Sequence, residues 1–220
     1  MNKSKKISKT RYATGVGVFS ALAYLITLVC KLIPSVQGFL SLDAKDAIIA
    51  IASFIFGPLA APIIAVIVAF VEFITISETG WYGFLMNFAS STVFSLTASY
   101  IYRRGKNYSS AICGFAAAII STVAVMLCLN AYITPLYFGM PRSVVIDMLP
   151  TLLLPFNLAK ALINSALSLV LYKPIINALR AARLIPRAEY KTQVNKTTVF
   201  TFVLGAILIV IATILLVIIW

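Results

Sequence analysis

Asn157, Lys160 and Asn164 are the residues of this sequence whose types and spacing could do chemistry. They recur at i, i+3 and i+7, so on a helix they share one face. The run that holds two of them, Pro155-Phe156-Asn157-Leu158-Ala159-Lys160, is otherwise apolar. Lys173, where the apolar segment ends, lies thirteen residues beyond Lys160, or roughly 20 Å at about 1.5 Å per residue. In a hydrocarbon core about 30 Å thick, a lysine at that depth must be paired, snorkelled or used.

Three more polar residues fall at the same level. Glu72 is five residues from the end of one apolar segment, and Asn87 and Asn130 lie near the ends of two others. Four segments therefore place their strongest polar groups at one depth, the pattern of a polar-lined pocket walled by Phe, Leu and Tyr. The packing readings stand beside this one. Each asparagine alone serves equally well as an interhelical hydrogen bonder, and Lys160 could pair with Glu72 for packing alone.

The elements that must position these residues are membrane helices. The chain of 220 residues is 61% hydrophobic and 11% charged, with a mean hydropathy of +1.01. Its apolar stretches reach the length of a bilayer crossing. Seven can be counted, at 12–33, 41–56, 58–77, 83–102, 109–133, 150–179 and 198–220. This reads as an all-α polytopic bundle with one compact helical domain. The second segment is too short to span unaided, so residues 37–43 are expected to dip into the outer leaflet as ordered loop. Residues 134–149 read as a long link. The basic N-terminus resembles a signal peptide, but the run at 12–33 is too long for one and is read as a retained helix.

Basic residues fix the expected orientation. Of 18 Lys and Arg, fourteen fall in the tail at 1–11, the link at 103–106 and the region 173–196. The opposite links hold only Lys31, Lys45 and Arg142. The positive-inside rule then puts the N-terminus in the cytoplasm of a multi-pass cell-membrane protein. The net charge of +12 is thus topological, and no nucleic-acid partner is implied; the partners of such a surface are membrane lipids. Trp81, Tyr82, Tyr132 and Tyr137 fall where an interfacial aromatic belt is expected.

Several function classes are disfavoured. The chain has no histidine, no P-loop and no acidic cluster of metal-binding type, so no catalytic residues, metal site or cofactor are assigned. Cys30, Cys113 and Cys128 sit in apolar runs without CxxC spacing and read as packed thiols. Ala13, Gly17 and Ala21 form a small-residue ridge on the first helix, suited either to packing within the chain or to docking on another membrane protein. A gradient-driven permease and a binding subunit energised by a partner both fit these features. An intramembrane enzyme fits poorly.

Five stretches sharpen the choice. Phe39-Leu40-Ser41-Leu42-Asp43 followed by Phe54-Ile55-Phe56-Gly57-Pro58-Leu59 resembles the substrate-binding S components of energy-coupling factor (ECF) vitamin transporters. Glu78-Thr79-Gly80-Trp81-Tyr82-Gly83-Phe84-Leu85-Met86-Asn87, Met140-Pro141-Arg142 and Leu154-Pro155-Phe156-Asn157-Leu158-Ala159-Lys160 resemble the riboflavin-specific S component in particular. The resemblance covers about residues 12–180. It implies a six-helix bundle holding riboflavin in an outward-facing pocket, and partners consisting of a transmembrane coupling protein and two ATPase subunits. It also implies flavin contacts from Asn157, Lys160 and Asn130, and docking through Ala13, Gly17 and Ala21. Asn87, and Glu72 and Asp43 toward the ribityl hydroxyls with Asp46 nearby, complete the expected site. The segment at 198–220 departs from the family pattern and is expected as a lipid-facing accessory helix beyond a basic linker at 181–197.

Overall fold

A computed structural model describes residues 8–182 and 196–219. Within them the chain is helical and contains no strand: α1 Lys9–Cys30, α2 Lys45–Phe56, α3 Ala60–Thr75, α4 Gly80–Gly105, α5 Tyr108–Phe138, α6 Arg142–Met148, α7 Leu154–Ala181 and α8 Lys196–Ile219. A π-helical turn at Leu149–Leu153 joins α6 to α7. The all-α bundle with an added C-terminal helix is therefore as expected. Lys3, Lys5 and Lys6 and most of the basic linker lie outside the described residues.

Local chemistry sets the boundaries. Ser8 caps α1 by accepting from the Arg11 amide, and Asn107 with Ser110 forms a reciprocal capping box at α5. Gly57 ends α2 at φ +103°, a backbone conformation that only glycine adopts cheaply. The link expected over 134–149 is instead mostly helical. α5 continues through Pro135 to Phe138, and α6 follows after a short turn. Proline removes one backbone hydrogen bond from α5, yet the helix runs on through it to Phe138.

Among the described residues, four helices are long and apolar enough to cross a membrane by composition alone: α1, α5, the α6–α7 unit and α8. α3 is apolar but shorter. α4 has the length, with 26 residues, and its buried face carries Ser90, Ser91, Ser95 and Ser99. Such small side chains let α4 and α5 approach closely. A Cβ built on Gly114 would stand 2.7 Å from the Ala98 carbonyl oxygen, so only glycine fits there. Ser99 satisfies itself locally by donating to the Ser95 carbonyl at 2.7 Å, whereas Ser91 and Ser95 donate across to the Asp46 carboxylate and the Asp46 carbonyl of α2.

The core is layered. α1, α2 and α3 pack around Phe19, Ile48, Ile51 and Ile64, each at most 1% exposed. α2, α4, α5 and α7 meet at Ala50, Phe94, Ala98 and Phe115. α2 is central: nine of its twelve residues, from Lys45 to Ser53, are buried. Cys113 and Cys128 are exposed on the outside of α5 and do not pack as the sequence suggested. The helix stays apolar on that face, so a thiol is simply one of its apolar side chains.

α8 is not merely an outer helix bathed in lipid. It runs back along α7, burying Ala212 against Ala159 and Leu162, and Gly205 brings it to within 3.0 Å of Val170, measured from an added Cβ. Its other face, including Val210, Ile214, Val217 and Ile218, is exposed.

Candidate functional site

At the end of the bundle where α1 finishes and α2 and α7 begin, the helices enclose a cavity of about 190 Å³. All six residues expected from sequence to bind a ligand line it: Asp43, Glu72, Asn87, Asn130, Asn157 and Lys160. Each comes from a different turn of structure, namely the loop before α2, then α3, α4, α5 and two successive turns of α7. The shared depth read from sequence is thus a shared wall.

The start of α7 explains how Asn157 and Lys160 reach the cavity. Pro155 has no amide proton and its ring crowds the preceding turn, so a regular helix cannot run through it undisturbed. The π turn widens the backbone there, with the Leu154 amide donating to the Leu149 carbonyl. Asn157 then anchors itself by donating to the Leu153 carbonyl at 2.7 Å. Asn130 does likewise toward Met126 at 2.7 Å, while its Oδ1 accepts from Thr134. Both amides are held in fixed orientations.

The loop of residues 31–44 forms the opposite wall. A tight turn pairs Val36 with Leu40, the Val36 amide donating to the Leu40 carbonyl at 2.9 Å. Gly38 to Asp43 follow the cavity as ordered backbone at membrane depth, which is tolerated where a protein interior or cavity receives it. Phe39 stacks edge-on against Phe138 at 4.9 Å, and Tyr82 against Tyr137 at 6.0 Å, and all four line the cavity. Trp81 does not; it packs on Phe73 and is 62% exposed, as a belt residue would be. Arg142 lies over the Tyr132 ring at 4.3 Å, away from the cavity.

A buried ion chain spans the floor. Lys160 Nζ lies 2.8 Å from Asp43 Oδ2, Lys45 Nζ lies 3.3 Å from the same oxygen, and Lys45 donates to both oxygens of Glu72 at 2.8 and 2.9 Å. Asn87 closes the chain by donating to Glu72 at 2.9 Å. Lys160 and Glu72 are therefore not partners, and the packing reading that would have paired them does not hold: Lys45 intervenes. Two ammoniums and two carboxylates balance, which is what lets four charges share an interior. Asp43 Oδ1 is buried beside the cavity without a hydrogen-bond donor among the described residues.

Lys45 is the residue that sequence reasoning missed. It reads as a topological charge in a link, yet it is 2% exposed and tethers α2 to α3. The available signal was the sign alternation Asp43, Lys45, Asp46 ahead of a helix too short to span. Asp46 is also buried, but it accepts from Ser91 and does not line the cavity. Asn164, read as part of the polar face, is fully buried and caps α2 from another helix. Its Oδ1 accepts from the Ala47 amide at 2.8 Å and its Nδ2 donates to the Asp43 carbonyl at 2.9 Å. Ala44 has no side chain able to cap α2, so Asn164 supplies the missing acceptor.

This architecture has known counterparts. The protein-family model described as ECF transporter, substrate-specific component matches residues 11–176. The chain belongs to that family. It is 28% identical over 189 residues to the riboflavin transporter RibU of Staphylococcus aureus (strain TCH60), covering 82% of this chain and 99% of that relative. A solved structure of the S component of a bacterial ECF transporter superposes with a TM-score of 0.67 at 28% identity, covering 79% of this chain and 99% of that one. S components are transport subunits, not enzymes, and this chain is a multi-pass membrane protein of that kind. Among the described residues no group of His, Cys, Asp and Glu is arranged to hold a metal.

Proposed function

We propose that this chain binds riboflavin in the cavity, at the extracellular side, and delivers it inward with an ATP-driven ECF module. The observation that carries this reading is the charge balance of the cavity. Its lining contains three lysines (Lys31, Lys45 and Lys160) and three acids (Asp43, Glu72 and Glu78), so it suits an uncharged solute. The walls match the parts of such a solute: Phe39, Tyr82 and Tyr137 offer faces and edges to a flat ring system. Asn130, Asn157 and Lys160 offer donors to ring carbonyl and nitrogen acceptors, and Asp43 and Glu72 offer acceptors to ribityl hydroxyls. The 28% identity to a riboflavin transporter across nearly its whole length supports the same ligand.

Orientation follows from charge. Arg103, Arg104, Lys106, Lys173 and Arg180 lie at the bundle end opposite the cavity, which the positive-inside rule assigns to the cytoplasm together with the N-terminus. The cavity then faces out. In this reading residues 12–180 are the binding bundle, 1–11 and 181–197 are cytoplasmic basic segments, and 198–220 is an accessory helix.

The coupling protein of the module docks on α1. Gly15, Val16, Phe19, Ser20 and Ala23 make the internal face of that helix, whereas Ala13, Gly17 and Ala21 are exposed. A Cβ on Gly17 would meet nothing within 4 Å. A small-residue ridge left open on a membrane helix supports close approach by another helix. The loaded bundle tips against that partner to present its cavity to the cytoplasm, while two ATPase subunits supply the energy. Cross-linking that finds the same membrane depth for cavity residues throughout turnover would count against tipping.

The simplest test of the binding reading is colour. Protein purified from riboflavin-containing cells should be yellow. Colourless protein that acquires no flavin on soaking would refute the proposal.

A further inference from the structure

The turn at residues 36–40 has two sides. Its front, from Gly38 to Leu40, lines the cavity. Its back enters a separate apolar cluster of Val36, Leu40, Val145, Leu153, Phe156 and Ile219, with Leu216 packed against it. Val36 is 1% exposed and Ile219 7% exposed. Gln37, at φ +50° in the same turn, reaches across to donate to the Ile219 carbonyl at 3.4 Å. The last turn of α8 therefore touches the wall of the cavity from behind.

We propose that Leu216 and Ile219 are positioning residues for the binding site, bracing the 36–40 turn and setting how readily the cavity opens. The turn's own hydrogen bonds are all local: the amides of Val36, Gly38, Phe39 and Leu40 bond within residues 35–40 at 2.9–3.3 Å, and Ser35 pairs with Ser41 at 3.0 Å. They fold the turn but do not tie it to the bundle, so it lifts as a unit unless side-chain packing restrains it. Val145 and Leu153 restrain one flank from α6 and the π turn; α8 restrains the other. α8 lies beyond residues 11–176, the stretch that matches the family, so the brace is an addition to the shared bundle. It makes α8 a determinant of ligand residence time without contact between α8 and ligand. The part of this inference that concerns ligand release rests on the riboflavin reading; the part that concerns the loop does not.

The test compares two double substitutions in the full chain, reconstituted in lipid nanodiscs without ligand. Leu216→Ala with Ile219→Ala removes the brace. Val217→Ala with Ile218→Ala alters two neighbours that are each 72% exposed and touch no core cluster. Hydrogen exchange followed by mass spectrometry should show the 33–43 segment exchanging roughly tenfold faster in the first variant only, with residues 45–56 unchanged, as expected of a local opening. Gln37→Ala approaches the contact from the loop and leaves the packing of α8 on α7 intact, so it guards against simple undocking of the helix. It should speed the same segment by about twofold to fivefold, the effect of one weak hydrogen bond. Riboflavin dissociation, read by recovery of flavin fluorescence, should accelerate in the same order.

Equal exchange in the 33–43 segment of wild type, the brace variant and Gln37→Ala would overturn the brace, as would equal acceleration in the exposed-face control. Should wild-type protein bind no riboflavin, the ligand assignment falls, and the exchange comparison still decides whether α8 braces the loop.

Discussion

Lys160 and Asp43 are joined at 2.8 Å across the cavity, from the second turn of α7 to the loop before α2. The pair does two things at once. It fixes one wall against the other, and it places an ammonium where a ligand acceptor would meet it. Because Lys45 shares the same Asp43 oxygen and continues to Glu72, the loop, α2, α3 and α7 are held by one electrostatic chain.

Removing one charge from the chain should cost more than neutralising a pair. Asp43→Asn and Lys160→Gln singly each leave an uncompensated buried charge, and stability should fall by about 3–5 kcal/mol. The double variant should recover part of that loss. Thermal unfolding in detergent checks the order of the three; additive losses would mean that the pair is not coupled in solution. Lys160→Ala should also weaken flavin binding by about 1–3 kcal/mol, as for a lost charged hydrogen-bond partner.

Asn164→Ala should destabilise through α2, not through the ligand. It removes the cap on the Ala47 amide and the support of the Asp43 carbonyl, at a cost of about 0.5–2 kcal/mol for the cap alone. The affinity loss should be smaller than for Lys160→Ala, because Asn164 does not line the cavity. Paired unfolding and flavin titrations on the two variants separate these effects.

Gly114→Ala tests the closeness of α4 and α5. The new methyl would meet a backbone carbonyl that cannot swing aside, so the helices must part, at about 1–3 kcal/mol. A neutral result in thermal unfolding would show the contact to be looser than 2.7 Å implies.

Gly17→Leu should separate binding from transport. The space around Gly17 is open, so the bundle should fold and bind flavin as before. Uptake in cells should fall severely, because a bulky side chain holds the partner helix away from α1. Normal uptake would remove Ala13, Gly17 and Ala21 from the docking surface.

Much of the site was legible in the sequence because membrane depth can be counted along a helix. Glu72, Asn87, Asn130, Asn157 and Lys160 each betray themselves as polar residues a few positions from a segment end. What depth cannot give is azimuth and partner. A Lys160–Glu72 pair was one reading of the sequence, but Lys45 occupies that position, and a lysine just after a loop looks like a flank. Asn164 shares a helical face with Lys160, yet the N-terminus of α2 packs against that part of the face and takes its amide as a cap. The helical course of residues 134–149 was hidden by Pro135 and Gly139, whose local preferences are overridden by packing of Val145 and Leu153 on the loop turn. The covering of the loop by α8 needs two elements distant in sequence to meet, which no local pattern reports.

The most direct measurement is an equilibrium titration of the purified full-length protein with riboflavin, followed by flavin fluorescence, beside Lys160→Ala. Saturable quenching at one site per chain, weakened by about tenfold or more in the variant, is the expected result. Absence of saturable quenching in the wild type, with the protein folded, would contradict the assignment of this cavity to riboflavin.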